Sequence, residues 1–510
     1  MRDDAHVVVV GAGIGGLVSA LLLSHQGVRV TVVESAQAPG GKIRQLDVNG
    51  CAIDSGPTVF TMRWVFDELF DAVNASFDRE LKIQPLDVLA RHAWADGSAL
   101  DLFADVQASN DAIARFSGLA EAKNFERFCA KARSVYDTLQ APYIQSPSPS
   151  VVQIMKALGP RGLGVLASLG AMSSLWDSLG RYFKDQRMRQ LFARYATYCG
   201  SSPWLAPATL MLIAQVEMDG VWSIEGGMHA LPRCLERMAK ERGVTFMYGQ
   251  PCKSIDTQGG KVSGVSLGEG GYLPADAVVF NGDVSALHAG LLGADVAKPT
   301  AQANRERSLS AITWSMVAKT SGMPLERHNV FFQNTYADEF EAIFNRKALP
   351  DKPTVYVCAQ DRGIDAPVPE EGERLLCLVN APAVGDQDVL THEAIEQCQH
   401  NSFQLLQQCG LQLHSTPSQI QRTTPIEFNR LFAGTGGALY GQATHGWMAA
   451  FARPNAKSLI PGLFLAGGSV HPGPGVPMAA MSGRLAGAAV MAHLASTKRS
   501  TLAVTSGGMS

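Results

Sequence analysis

Between His6 and Ser35 the chain reads HVVVVGAGIGGLVSALLLSHQGVRVTVVES, and its polar and apolar positions alternate in blocks. The unbroken apolar run Val7–Val10 suits a parallel strand covered on both faces. The spacing then predicts a helix over Val18–His25, ended at Gly27, and a second strand at Val30–Val33. From about Trp64 to Val221 this rhythm is lost and the pattern predicts mainly helix. Strand signals return between Trp222 and Asp283 in VTFMYG, KVSGVSL and DAVVF, and VTFMYGQPCKSID reads as one strand with its end near Cys252. From Val284 to Gln421 strands such as PTVYVCAQ and RLLCLVN mix with helices. The close, GLFLAGGSVHPGPGVPMAAMSGRLAGAAVMAHL, is a strand, a loop of small residues and prolines, and an Ala-rich helix.

The turn after the first strand, Gly11-Ala-Gly-Ile-Gly-Gly16, fits G-x-G-x-x-G. In such a turn Gly11 permits the bend, Gly13 lets backbone approach a pyrophosphate, and Gly16 lets helix and strand pack closely. The amides at the helix start, including that of Gly15, then face phosphate. Glu34 ends the second strand eighteen residues after Gly16, where a carboxylate suits a ribose hydroxyl. The hexad alone also occurs as a plain βα turn. APGGKIR, Ala38–Arg44, adds a glycine pair (Gly40, Gly41) and the cations Lys42 and Arg44. DSGPTVF, Asp54–Phe60, adds Gly56 and Pro57. An extended dinucleotide such as FAD has use for these additions; a plain NAD site does not. Cys252 is placed to meet an adenine through backbone groups, and ADAVVFNGD ends an apolar strand at Asn281.

The expected fold is α/β: a Rossmann-like nucleotide domain built from residues 1–75, 222–290 and 426–496. A mixed α+β substrate domain interleaves with it, with a helical, membrane-facing region at 76–221, strands and helices at 291–425, and a frayed tail at 497–510.

Composition narrows the functions. Net charge is −3 with 17% charged residues, far from the basic character of a nucleic-acid binder. The nine cysteines form no CxxC pair and the histidines show no H-x-x-x-H spacing, so a metal site is not expected. No signal peptide is read at Met1–His6. The longest uncharged apolar run, Gly162–Trp176, is shorter than a membrane span. A cytoplasmic protein is expected.

Together these motifs resemble the FAD-dependent amine oxidase and carotenoid desaturase superfamily over nearly the whole chain. LAGGSVHPGPGVPMAAMSG is similar to the desaturase signature G-x-x-x-H-P-G-x-G-x-P. The resemblance implies non-covalent FAD, with Gly467, Gly468, Gly475, Val476 and Pro477 lying along the isoalloxazine ring and His471 shaping the loop. DSGPTVFTMRWVFDELF, ARHAWADGSALDLF, RYATYCG, GVWSIEGGMH, FNGD, HNVFF and YVCAQDR resemble the 1-hydroxycarotenoid 3,4-desaturases of phototrophic bacteria. Phytoene desaturases commonly carry proline after the Thr-Met pair, where this chain has Arg63. Asp361 approximately matches an acid of bacterial phytoene desaturases and is the one catalytic candidate, although the favoured reading of it is a structural salt bridge.

The resemblance implies removal of two hydrogens across C3–C4 of a 1-hydroxylated acyclic carotenoid, for example 1-hydroxyneurosporene to demethylspheroidene. Oxygen or a quinone would accept the electrons. Alternatives are desaturation of another acyclic carotene such as phytoene, a flavin amine oxidase, or a non-catalytic carotenoid-binding protein. A bilayer-soluble substrate further implies peripheral association with the inner or photosynthetic membrane. The segment expected to dock is the greasy stretch bearing Leu163, Val165, Leu166 and Leu169, flanked by Lys156, Arg161, Arg181 and Lys184. A buried core helix is the other reading of that stretch.

Overall fold

The computed structural model describes residues 5–159, 170, 172–300, 306–363 and 367–506. A five-stranded parallel sheet forms from segments far apart in sequence. Its order is Leu463–Leu465, Ala277–Phe280, His6–Val10, Arg29–Val33, Thr245–Met247. The central strand pairs Val8 with Val278 on one side and with Thr31 on the other. Val7, Val8 and Val9 are fully buried, as expected for a strand covered on both faces. The helices Ile14–His25 and Val476–Ser506 pack against each other closely enough that the Ser19 hydroxyl donates to Gly483 O at 3.0 Å.

An eight-stranded mixed sheet makes the second layer. Its long strand Ser310–Gly322 pairs antiparallel with Glu373–Ala381, followed outward by Val355–Ala359, His328–Phe332, Val88–Trp94 and Ala99–Phe103. Helices between Val106 and Met218 cover one side, around buried Phe128, Phe183 and Phe192.

Three expectations need correction. Within the region read as helical, Val88–Trp94 and Ala99–Phe103 form a hairpin joined to the mixed sheet. Its turn is Asp96-Gly97-Ser98: Gly97 has φ +84°, and Asp96 accepts from Ser98 N at 2.9 Å. Asp-Gly between apolar runs is a hairpin signal, and here it outweighs the helical surroundings. The stretch read as one strand through Cys252 is two: Thr245–Met247 edges the parallel sheet, and Cys252–Gln258 starts a separate antiparallel sheet after the turn at Gly249. The last helix continues to Ser506, ten residues into the expected tail, because residues 497–506 hold no glycine or proline to stop it. Leu163, Val165, Leu166 and Leu169 lie outside the described residues. Among the described residues no helix is long and apolar enough to cross a membrane.

Candidate active site

The C-terminal ends of the parallel strands open into a cavity of about 1030 Å³ that reaches across to the mixed sheet. Its floor is mostly backbone. Gly11 leaves the first strand with φ +101° and donates to Val33 O at 2.8 Å. A Cβ on Gly16 would stand 2.1 Å from Gly11 O, so helix and strand meet there only without a side chain. Gly13, the residue before the helix, is bridged to Gly40, whose amide donates to Ala12 O at 2.8 Å. The two glycine turns thus form one cradle.

Glu34 faces this cradle. One of its oxygens accepts from Ala12 N at 2.6 Å and the other from Ala36 N at 2.8 Å. The first-named oxygen takes no other protein donor and keeps a lone pair for a ligand, while the second also accepts from the Ser35 hydroxyl at 3.2 Å; together these bonds hold the carboxylate in place. Cys252 sits beside it, because Gln250 N donates to Glu34 O at 2.9 Å. Asn281 ends the neighbouring strand and donates from Nδ2 to Gly11 O at 3.2 Å. Its Oδ1 is buried without a protein partner. A Cβ on Gly15 would lie 2.6 Å from that oxygen.

Next to Gly15 and Asn281, the loop that carries Gly467, Gly468, Gly475, Val476 and Pro477 lines the cavity at the start of the last helix. Two side chains pin this loop. The buried Arg453 guanidinium donates to Tyr440 O at 3.2 Å, Gln442 O at 3.0 Å and Gly468 O at 3.4 Å. The His471 ring bonds Ser146 O at 2.9 Å and meets the Tyr143 ring edge-on at 5.2 Å. Burial lowers His471 to about 4, so the ring is neutral at physiological pH.

Lys42 also lines the cavity and donates from Nζ to Leu439 O at 2.6 Å. Gly41, Gly56 and Pro57 stand beside it.

Three expected residues are not cavity residues. Gly16 packs helix on strand behind the wall. Arg44 turns away, donating to Thr423 Oγ1 at 2.9 Å with its guanidinium over the Phe428 ring. Asp361 is held by Arg374, at 2.5 Å from Nη2 and 2.9 Å from Nε, and accepts the Arg374 amide at 2.8 Å. It is a structural ion pair outside the cavity. Of the two readings of Asp361, the structure thus favours the salt bridge; its partner, thirteen residues later, returns across a strand pair.

The rest of the wall escaped sequence reasoning. Leu210, Ile213 and Val216 from the helical layer face Val330, Leu376 and Leu378 from the mixed sheet. Besides Thr313 and Asn380 from the mixed sheet and Thr354 beside it, two linked groups of polar side chains interrupt this apolar surface. Tyr356 OH bonds Thr58 Oγ1 at 2.6 Å and His328 Nδ1 at 2.7 Å. Tyr198 OH donates to Glu217 at 2.5 Å and accepts from Arg194 at 3.1 Å. Burial raises both tyrosine hydroxyls, which stay protonated, and lowers His328 to about 3. The motif RYATYCG contains Arg194 and Tyr198; nothing in it announces that a glutamate 23 residues downstream will join them.

A paired-glycine cradle, a fixed carboxylate and an unpartnered buried amide oxygen fit an extended dinucleotide lying from Glu34 toward Gly475. The remaining volume is apolar and suits a long hydrocarbon.

Residues 14–491 match the flavin-containing amine oxidoreductase family. The chain is 56% identical over 511 residues to the hydroxyneurosporene desaturase of Rubrivivax gelatinosus, covering 99% of this chain and 96% of that one. It is 30% identical over 485 residues to the 1-hydroxycarotenoid 3,4-desaturase of a Flavobacterium species, covering 94% and 97%. Among solved structures, cyclohexylamine oxidase from Brevibacterium oxydans aligns with a TM-score of 0.58 at 16% identity, covering 96% of this chain and 99% of that one. That likeness shows the fold alone.

Proposed function

Since the chain belongs to the flavin-containing amine oxidoreductase family and is an FAD-dependent oxidoreductase, we propose that it introduces the C3–C4 double bond into 1-hydroxylated acyclic carotenoids during carotenoid biosynthesis. 1-Hydroxyneurosporene is the substrate this reading names. The single observation that carries it is the continuity of the glycine cradle with a large apolar chamber. The names of the similar desaturases support the substrate class.

In this reading the Gly11–Gly16 turn holds the pyrophosphate and Glu34 the adenosine ribose. Gly467, Gly468 and Gly475–Pro477 lie against the ring. In this reading the cofactor is held without a covalent bond, and no cysteine follows Cys409 to attach it at the C-terminal loop. Bound FAD supplies a two-electron, hydride-accepting ring. The chamber's residues do the rest by position. Leu210, Ile213, Val216 and Leu378 hold an extended polyene in one register and exclude water, and alignment of this kind governs the rate of a transfer step. Charge developing beside a polyene is spread along it, so the wall needs no strong base. The electrons leave to oxygen or a quinone, and peroxide released per double bond formed separates the two.

The chamber's mouth supports peripheral membrane docking, at the inner or photosynthetic membrane. Met172 and Trp447 both line the cavity and are 85% and 41% exposed, so they stand where it opens. Exposed Leu205 is tied to them by Gly446 N donating to Leu205 O at 2.8 Å, and Met448 follows directly. Large apolar side chains around an opening mark a surface that meets something apolar. Leu205→Ser with Met448→Ser should reduce sedimentation with liposomes while leaving the fold intact; undiminished sedimentation would remove this rim from the docking surface.

The function itself is tested by incubating FAD-loaded protein with single carotenes and following absorption. A red-shifted product from 1-hydroxyneurosporene is expected. Activity on phytoene alone would overturn the reading.

A further inference from the structure

One feature of the chamber does not suit a hydrocarbon. Arg194 lies on the short helix Arg194–Cys199 and Glu217 on the helix Leu212–Met218; both line the cavity and both are buried, at 8% and 6% exposure. Between them stand two tyrosines. Tyr198 OH donates to one Glu217 oxygen at 2.5 Å and Tyr195 OH to the other at 2.6 Å. The Arg194 guanidinium lies over both rings, 5.5 Å from that of Tyr195 and 5.1 Å from that of Tyr198. Of its five N–H donors, the described residues engage one, at Tyr198 OH, and Nε has no partner. No carboxylate of the described residues contacts it as a direct ion pair; Glu217 supports its charge only from across Tyr198 OH.

A buried cation short of acceptors, set in an apolar wall, is costly unless something else supplies oxygen. An unfunctionalised polyene supplies none. A terminal hydroxyl does: its oxygen accepts from Arg194 while its proton goes to Glu217 or Tyr198. We propose that Arg194, Tyr198 and Glu217 form the subsite that holds the substrate's 1-hydroxyl group, so that they set both selectivity and the bond that reacts. C1, the carbon that bears the hydroxyl, stands two bonds from C3, so a group that fixes the hydroxyl also limits which C–C bond lies beside the ring. Sites built to hydrogen-bond a hydroxyl reject the analogue that lacks it far more strongly than apolar sites reject an added one. This proposal rests on the desaturase reading for its substrate class.

The test is a pair of dissociation constants, measured by quenching of protein fluorescence in FAD-loaded protein, for 1-hydroxyneurosporene and for neurosporene. Binding is read without turnover, which separates this proposal from the function it rests on. Wild type should prefer the hydroxylated carotene, and Tyr198→Phe and Glu217→Gln should each reduce that preference about 10-fold or more. Arg194→Met should reduce it further, with Arg194→Lys recovering part. Tyr198→Phe keeps the ring under Arg194 and so guards against simple loss of the fold. A merely structural role would weaken both carotenes equally and leave the ratio where it was. That unchanged ratio, or a wild type that binds the two alike, overturns the subsite. A wild type that discriminates in binding but never forms the double bond leaves the subsite standing and overturns the desaturase reading.

Discussion

The two parts of the cavity wall are built from different material. The nucleotide cradle is mostly backbone: a Cβ on Gly13, Gly15, Gly40 or Gly41 would crowd its neighbours, and Gly11 holds a φ of +101° that side chains disfavour. The chamber is side chains, contributed by the helical layer on one side and the mixed sheet on the other. Backbone recognition demands glycine at fixed spacing and tolerates nothing else. A chamber for a hydrocarbon asks only for apolar volume, which many residues provide.

The sharpest way to break this contrast is just behind the cradle, where helix meets strand. Gly16→Ala places a methyl 2.1 Å from Gly11 O, a backbone atom that cannot move aside. The expected outcome is no soluble folded protein, a loss of about 3 kcal/mol or more; a normally melting variant would show that the helix can shift. Next in size is Gly468→Val. A Cβ there meets no protein atom nearer than Pro474 Cα at 3.6 Å, so the protein itself has room. Folded protein without flavin absorbance is expected, since only the cofactor competes for that space. Full flavin content would take this loop away from the ring.

Glu34→Ala separates recognition from scaffolding within the cradle. It removes an acceptor for the ribose and frees Ala12 N from its 2.6 Å bond. FAD affinity should fall by about 1–3 kcal/mol, read by equilibrium dialysis. Retention of a full FAD complement after extensive dialysis would contradict the role.

Acid compares the two walls directly. Burial lowers His471, behind the loop, to about 4 and His328, in the chamber wall, to about 3. Both values lie below that of the unfolded imidazole, about 6.5. The stability these neutral rings contribute is therefore complete above pH 6.5 and is lost as pH falls toward 4 and 3. Lowering the pH from 7 to 5.5 should cost about 2 kcal/mol in denaturant titration. His328→Gln should recover part of that loss; an unchanged pH dependence would mean the ring is not buried neutral.

The smallest effect is expected at Asp361. Asp361→Asn weakens the ion pair between buried Asp361 and the partly exposed Arg374 and should cost about 1–2 kcal/mol of stability with turnover retained. Abolished turnover in folded, flavin-loaded protein would return Asp361 to the chemistry.

These differences explain what was legible in the sequence. The parallel strands announced themselves as apolar runs, and the cradle as glycines at set spacing with Glu34 following. The desaturase loop could be read because small residues and prolines there leave few alternatives. The hairpin at Val88–Phe103 was hidden inside a helical neighbourhood, although its Asp-Gly turn stood in plain view. Arg44 carried the right charge in the right motif, but its direction is set by Thr423 and Phe428, which lie far along the chain. The Arg194–Tyr198–Glu217 cluster is wholly tertiary: two helices must fold against each other before its chemistry exists.

The central claim is that the cradle and the chamber serve one reaction, and anaerobic reduction tests it most directly. FAD-loaded protein is mixed without oxygen with one equivalent of 1-hydroxyneurosporene in detergent, and the flavin band near the visible edge is followed with the polyene spectrum. Bleaching of the flavin together with a red shift of the polyene, in equal molar amounts, is expected. Protein that binds the carotenoid yet keeps its oxidised flavin spectrum indefinitely would contradict it.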